Sequence, residues 1–398
     1  MISVAVKSNW RSWSSQSWVA LLLGITLFAL PLSSSAKSIF VVISLGSILF
    51  TPAYRPVLLA MIAKPWCQAA FALFFIAVLA CIWSPADFHE KSMAVEKYSK
   101  LLYLPILAAA FTDSRARNFG LHGFLLAMVV TCFVSILWFY GYLSLSEVEG
   151  GGVFRNRIMT GFMMAFAAYL SSFLFTQQLG KNKLIYALLT LLFTYHVFFI
   201  NEGRTGYVVY FILMVLLMLQ TFSWRQAILG IALGCSLFGF VYYQSPVMQG
   251  AIHKAINDCR MYSKNEKDTN IGFRLQFHDY AYTLFKRSPW LGNGTAGFTH
   301  TFHLENPIPG RGDKLLEPHS QYWLIASEFG LLGFVSFLSF LGCLIIASLQ
   351  LKTLKPLAFA VLLPFIAGCW SDSLLFYSGT GYFFIFFMAL CLGEEADV

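Results

Sequence analysis

Apolar positions in this chain do not alternate with polar ones; they run on in long blocks. They fall at roughly 18–35, 38–54, 66–83, 99–112, 119–140, 157–176, 184–200, 205–222, 226–243, 331–350, 356–371 and 376–393. Most approach the ~20 residues that a helix needs to cross a hydrocarbon core of about 30 Å. The blocks at 99–112 and 356–371 are shorter and need flanking residues to complete a crossing. The pattern predicts an all-α polytopic membrane protein of about twelve transmembrane helices, with one large segment outside the membrane.

That segment is the polar stretch over 244–330, which divides the chain into three parts. Residues 1–243 carry the first nine expected helices, 244–330 the polar segment, and 331–398 the last three. Within the polar segment, Phe273, Phe277, Tyr280 and Leu284 recur at helical spacing, while Arg274, His278 and Lys286 take other sides. This predicts an amphipathic helix beside the membrane surface, with a basic side available. Pro289, Gly292, Gly294 and Gly297 end it in an irregular turn. Helix is expected to resume after Pro318 and to run through Gly330 into the tenth span. Over 84–100 the charges are also spaced as on a surface helix.

Composition agrees with the pattern. The 398 residues are 58% hydrophobic and only 12% charged, against roughly 25% charged in an average soluble domain. The net charge of +8 is scattered among connectors, with no basic run interleaved with aromatics, so topology accounts for it and nucleic acid is not an expected partner. With the N-terminus inside, cytoplasmic pieces carry Lys7, Arg11, Arg55, Lys64, Arg115, Arg117, Lys181, Lys183, Arg225, Lys352 and Lys355. Short outer pieces carry Lys37, Lys91, Lys97, Lys100, Arg155, Arg157 and Arg204. The larger inner share predicts cytoplasmic termini and an outward-facing 244–330. The block from Trp18 to Leu32 is long for a signal-peptide core and another follows at once, so a retained anchor is expected. Of eight Cys, only Cys259 lies in the polar segment, and no disulfide framework or Cys/His metal spacing is visible.

Chemistry then has few places to reside. Arg204 lies in Asn201–Tyr207 between two long apolar blocks. A guanidinium at the edge of hydrocarbon costs several kcal/mol unless it is paired or faces a wet cavity. Two readings stand: a pair with Glu202 or the headgroups, or an anion site, because arginine's fork of donors matches phosphate oxygens. Arg274 is either a surface charge or a second donor set. Arg155 and Arg157 follow the Gly150–Gly152 run in the polar piece Ser146–Arg157. For proton transfer, His319 stands where the polar segment meets a membrane helix, and His278, His300 and His303 compete with it. Gly292, Gly294 and Gly297 lack the Lys and strand–helix context of a nucleotide loop.

Asn201–Tyr207 after a membrane block, the Gly272–Arg274 tripeptide, Ser288–Phe298, then Pro318–Trp323 leading to Glu328–Gly333 together resemble the O-antigen ligase/polymerase superfamily. Length and short C-terminal tail are most similar to its O-antigen ligases. Many members have Asn where this chain has Ser320, which spares the titratable histidine. The resemblance implies a glycosyltransferase that moves a glycan from undecaprenyl pyrophosphate to a sugar hydroxyl of lipid A–core, with an active site on the periplasmic side of the bacterial inner membrane. It implies His319 as catalytic base and Arg204 and Arg274 on the pyrophosphate, with Arg155 or Arg157 as helpers. Inversion at the anomeric carbon is expected, without metal or cofactor. An O-antigen polymerase is the first alternative. A transporter or flippase of lipid-linked glycan is the second, disfavoured because the charges cluster at outer helix ends.

Overall fold

A computed structural model of the chain describes residues 15–145, 148, 150–177, 180, 182–309 and 315–394. Lys7, Arg11 and Lys181 of the charge argument, and Ser146, Glu147 and Glu149, lie outside the described residues. The elements begin with α1 (Ser15–Leu32), α2 (Ser34–Phe50), α3 (Arg55–Ile62), α4 (Pro65–Leu79) and α5 (Phe88–Ala110). Then come α6 (Ser114–Phe139), α7 (Arg157–Gln177), α8 (Asn182–Phe199), α9 (Arg204–Thr221) and α10 (Trp224–Gln244). The polar segment supplies α11 (Pro246–Ser263), α12 (Asn270–Arg287) and α13 (Gly297–Glu305). The chain closes with α14 (Gln321–Gln350), α15 (Lys355–Gly368) and α16 (Ser378–Leu392). Among the described residues there is no strand, so the all-α expectation holds.

Each apolar block coincides with a helix, but not every one of these helices is long enough by itself to support the expected twelve crossings. Among the described residues six helices, α1, α6, α7, α9, α10 and α14, are long and apolar enough to cross a membrane. A seventh candidate is the bent pair formed by α2 and the 52–62 helix, which turns by 78° between its halves. α4, α15, α16 and the apolar part of α8 are shorter apolar helices. The block at 99–112 is not a separate element. It is the second half of α5, whose buried Ala94, Tyr98 and Leu101 share one face by helical spacing, so the surface helix and the apolar block are continuous.

The chain forms two compact units, each discontinuous in sequence. The first comprises residues up to 53 and 110–254; the second comprises 54–109 and 255 onward. In the first, α1 packs on α6 and α2, and α7 packs on α8 and α9. Gly161 and Gly206 allow the α7–α9 approach, since a Cβ on Gly206 would lie 3.0 Å from the Gly161 Cα. α8, α9 and α10 line an apolar groove of about 520 Å³ that includes Phe198, Met214, Leu233 and Phe238.

The second unit is built around α14, which contacts α4, α12, α13 and α15. α12 takes the face expected of it: Phe277, Tyr280, Ala281 and Leu284 are buried with Phe298 and Phe302 of α13 and Leu324 of α14. Thr269 caps its first turn by accepting from the Gly272 amide at 3.1 Å. α14 is two helices in one line of sequence, broken at Gly330, where φ is 62°. The turn after α12 plugs that break. Leu331 and Leu332 donate to the carbonyls of Pro289 and Trp290, while Asn293 and Gly294 donate to those of Ser327 and Glu328. Backbone must come this close, and a Cβ on Gly292 would lie 2.3 Å from the Glu328 carbonyl. The glycines expected to end α12 are therefore a brace for a broken helix. The amides of residues 292–295 all donate to protein carbonyls, so they cradle no phosphate.

Candidate active site

In the second unit, three segments converge on His319. Its own segment, Glu317-Pro318-His319-Ser320, precedes α14, and Ser320 caps that helix by accepting from the Trp323 amide. The loop between α15 and α16 brings Asp372, Ser373 and Tyr377. It is tied to α14 because the Gln321 amide donates to the Cys369 carbonyl and Gln321 Oε1 accepts from the Leu375 and Phe376 amides. Buried Lys100 of α5 donates to the carbonyls of Phe376 and Tyr377 from the other side. α12 brings Arg274 and His278, one helical turn apart.

The imidazole of His319 faces two carboxylates with one nitrogen. Nδ1 lies 3.3 Å from Asp372 Oδ1 in a hydrogen bond and 3.1 Å from Glu317 Oε1. Two acceptors at Nδ1 require the proton there, which leaves the Nε2 lone pair as the basic site. The Phe277 ring covers one side, stacked with centroids 6.0 Å apart. The His319 side chain is 26% exposed, whereas that of Glu317 is 2% exposed. Arg274 Nη1 donates to the Ser371 carbonyl at 2.6 Å, and its Nη2 lies 3.9 Å from Asp372 Oδ2. Thus Arg274 and His319, paired by sequence reasoning, are joined through Asp372.

The competing histidines have other occupations. His278 Nε2 is 3.2 Å from the His319 carbonyl and must donate to it, so it steadies the base. Burial, and behind it the charges of Arg274 and His319, lowers the His278 pKa against the opposing pull of that bond. His300 pairs with Glu90 at 2.9 Å, and His303 bonds to the Leu315 carbonyl.

The remaining predicted residues belong to the first unit. Arg157 and Arg204 open α7 and α9. Both helix N-termini lie at the Gly161–Gly206 contact, and Gly151 packs against the Ile200 carbonyl. Arg157 Nη1 stands 3.7 Å from Glu202, the residue considered as a partner for Arg204. Helix N-termini already carry partial positive charge, so arginines there are unfavourable for the helix and fitted to an anion. Arg155 is committed differently: Nη2 donates to the Leu30 carbonyl at 2.7 Å and Nη1 to Ser34 Oγ, which staples the α1–α2 junction.

Sequence reasoning missed Glu317, Asp372 and Tyr377. Glu317 lies two residues before His319, but Asp372 enters only through a loop 53 positions later. Glu317, His319 and Asp372 offer three potential metal ligands within 4.8 Å of one another. Their oxygens are already engaged. Glu317 accepts from the His319 amide, Ser373 and Tyr377, and Asp372 Oδ1 accepts from the Ser373 amide. With the Arg274 cation also at Asp372, the donor set fits a proton relay better than a cation site.

Residues 185–338 match the family described as O-Antigen ligase. The resemblance to the O-antigen ligase/polymerase superfamily is shown by this match. It spans Arg204, Arg274 and His319, and leaves Arg155 and Arg157 outside. A family so described indicates ligase- or polymerase-type transfer, with lipid-linked glycan and lipid acceptor substrates in general terms. Together with the apolar helices, it supports a multi-pass membrane protein. No curated protein matches the chain.

Proposed function

We propose that this protein is an O-antigen ligase, a metal-independent, inverting glycosyltransferase of the inner membrane with its active site on the periplasmic side. Its donor is a glycan on undecaprenyl pyrophosphate and its acceptor a sugar hydroxyl of lipid A–core. The observation that carries this reading is His319: Nδ1 is committed to Asp372, which also faces the Arg274 cation, and Nε2 is left to accept a proton.

The chemistry follows from those atoms. Nε2 takes the acceptor hydroxyl's proton as its oxygen attacks the anomeric carbon of the donor. The bond from that carbon to the pyrophosphate oxygen breaks, and its electron pair leaves with the pyrophosphate. Attack opposite the leaving group inverts the anomeric centre. The imidazolium that forms is stabilised by the Asp372 carboxylate, and the proton later passes to water. Arg274, and Arg204 and Arg157 at their helix N-termini, are assigned to charge developing on the pyrophosphate. Arg155, expected from the sequence as a possible helper, is not assigned to the pyrophosphate, because its guanidinium bonds lie at the α1–α2 junction. The groove lined by Phe198, Met214, Leu233 and Phe238 has the chemistry an isoprenoid chain needs.

A polymerase would use the same donor and the same base, and differs only in its acceptor. Expression in cells lacking their own ligase separates the readings. A ligase restores polymer on lipid A–core, a polymerase lengthens only the undecaprenyl-linked chain, and a transporter makes no new linkage in a purified reaction. His319→Ala and Arg204→Ala are expected to abolish transfer while the protein still inserts. Full activity of either purified variant would sink the mechanism.

A further inference from the structure

We propose that Tyr98, Gln321 and Glu328 form an internal hydration site, which binds one ordered water between α5 and the first half of α14. Its polar atoms are distinct from those at His319, and its existence does not depend on how transfer proceeds.

The three side chains are almost wholly buried: Gln321 is 0% exposed, and Tyr98 and Glu328 are each 1% exposed. Each carries one polar atom with no hydrogen-bond partner among the described residues, namely Tyr98 Oη, Gln321 Nε2 and Glu328 Oε2. Buried polar atoms are nearly always bonded, either to protein or to ordered water. Three exceptions in one place therefore share a cause. Gln321 and Glu328 lie seven residues apart in α14, on one face and about 10 Å apart along the axis. Both approach the Tyr98 phenol, Glu328 near enough to bear on it by charge and Gln321 by its amide. The Tyr98 ring is held edge-on to Phe329, with centroids 5.5 Å apart. Glu328 is fixed as well, because the Ala296 and Phe298 amides address its carboxyl group and the Gly294 amide donates to its carbonyl.

The chemistry of the three atoms selects the occupant. Gln321 Oε1 is spent on the Leu375 and Phe376 amides, so the side chain cannot be turned round and Nε2 can only donate. Glu328 Oε2 accepts as a carboxylate, and Tyr98 Oη can take either role. One donor, one acceptor and one group of either kind suit a water, which in a protein interior typically makes about three hydrogen bonds. The water accepts from Gln321 Nε2, donates to Glu328 Oε2 and completes its set with Tyr98 Oη. A cation suits the two oxygens but would face the N–H groups of Gln321. An anion suits Nε2 but would face the Glu328 carboxylate. Direct bonds from Gln321 through Tyr98 to Glu328 would need no water, but the side chains do not make them.

X-ray radiolytic labelling with peptide mass spectrometry, on the full-length detergent-solubilised protein, tests the site. Radiolysis turns a bound water into a hydroxyl radical in place, and the radical oxidises the side chain beside it. Tyr98 is therefore expected to be oxidised despite its burial. Tyr169 is the control: it is equally buried at 1%, and its hydroxyl donates to Gln220 Oε1 at 2.6 Å. It should stay unlabelled at doses that label Tyr98. Glu328→Leu removes the acceptor, so oxidation of Tyr98 should be lost in that variant, and its retention in folded protein overturns the proposal. Should the variant not fold, the comparison of Tyr98 with Tyr169 in the parent still decides. Tyr98 as unlabelled as Tyr169 means that the three atoms bond one another directly, which also overturns it. Labelling should be the same in sodium chloride and in choline chloride; suppression by sodium would assign the site to a cation instead.

Discussion

His278 and His319 are joined by a hydrogen bond from the ring of one to the carbonyl of the other. His278 Nε2 is spent on the His319 carbonyl, and burial favours its neutral form. That has a consequence for stability. A histidine whose folded pKa lies below its unfolded value of about 6.5 stabilises the fold fully above that value. The contribution declines as pH falls from about 6.5 towards the folded value, because the unfolded chain then binds the extra proton. Replacing His278 by Gln removes that titration, so thermal stability should fall less steeply between about pH 7 and 5 than in the parent. Arg155 makes a second residue-scale case. Its two guanidinium bonds at the α1–α2 junction predict that Arg155→Ala loses about 1.5–3 kcal/mol of stability. Arg157→Ala should instead weaken the use of the donor at near-parental stability. A donor titration and a melting curve on each variant separate the roles. Sequence alone could not tell Arg155 from Arg157, because both follow the same glycine run.

At the scale of elements, the central device is the exchange of backbone bonds between the turn after α12 and the break in α14. Gly292 has φ 68°, and a Cβ there would strike the Glu328 carbonyl. Gly292→Ala therefore adds a strained conformation worth about 1–3 kcal/mol to a steric conflict with backbone that cannot move aside. A lower melting temperature and loss of transfer together are expected, since the brace holds the helix that begins beside His319. α12 was legible because its apolar positions keep a period of 3.6 and a threonine caps its start. α13 was not, because it opens on Gly297 and is bounded by left-handed Ala296 and Asn306, so turn residues outweighed nine residues of helix. α11 escaped for a related reason: its mean composition is polar, and only a few positions such as Met248 are buried. α5 was split in two because charge gives way to apolar residues midway along one continuous helix.

On the scale of the whole molecule, topology and metal dependence are the properties to test. If 244–330 faces the periplasm, the exposed thiol of Cys259, kept as the sole cysteine, should react with a membrane-impermeant maleimide applied to intact spheroplasts. Labelling only after lysis would reverse the orientation. Transfer by the purified protein should persist in excess EDTA, because Glu317 and Asp372 already serve His319 and its neighbours; loss of activity would make them metal ligands. The sequence by itself determined the helical, membrane-embedded character of the chain, the place of its polar segment, and the residue types suited to proton transfer and anion binding. These are local properties, written in the hydropathy and turn chemistry of neighbouring residues. Only the tertiary structure decided that His278 holds the His319 carbonyl, which arginine is a staple, and that Glu317 and Asp372 meet at one imidazole. Those facts depend on α12, the segment before α14 and the α15–α16 loop packing together. No pattern along the chain records that convergence, because the contacts join residues from Arg274 to Tyr377.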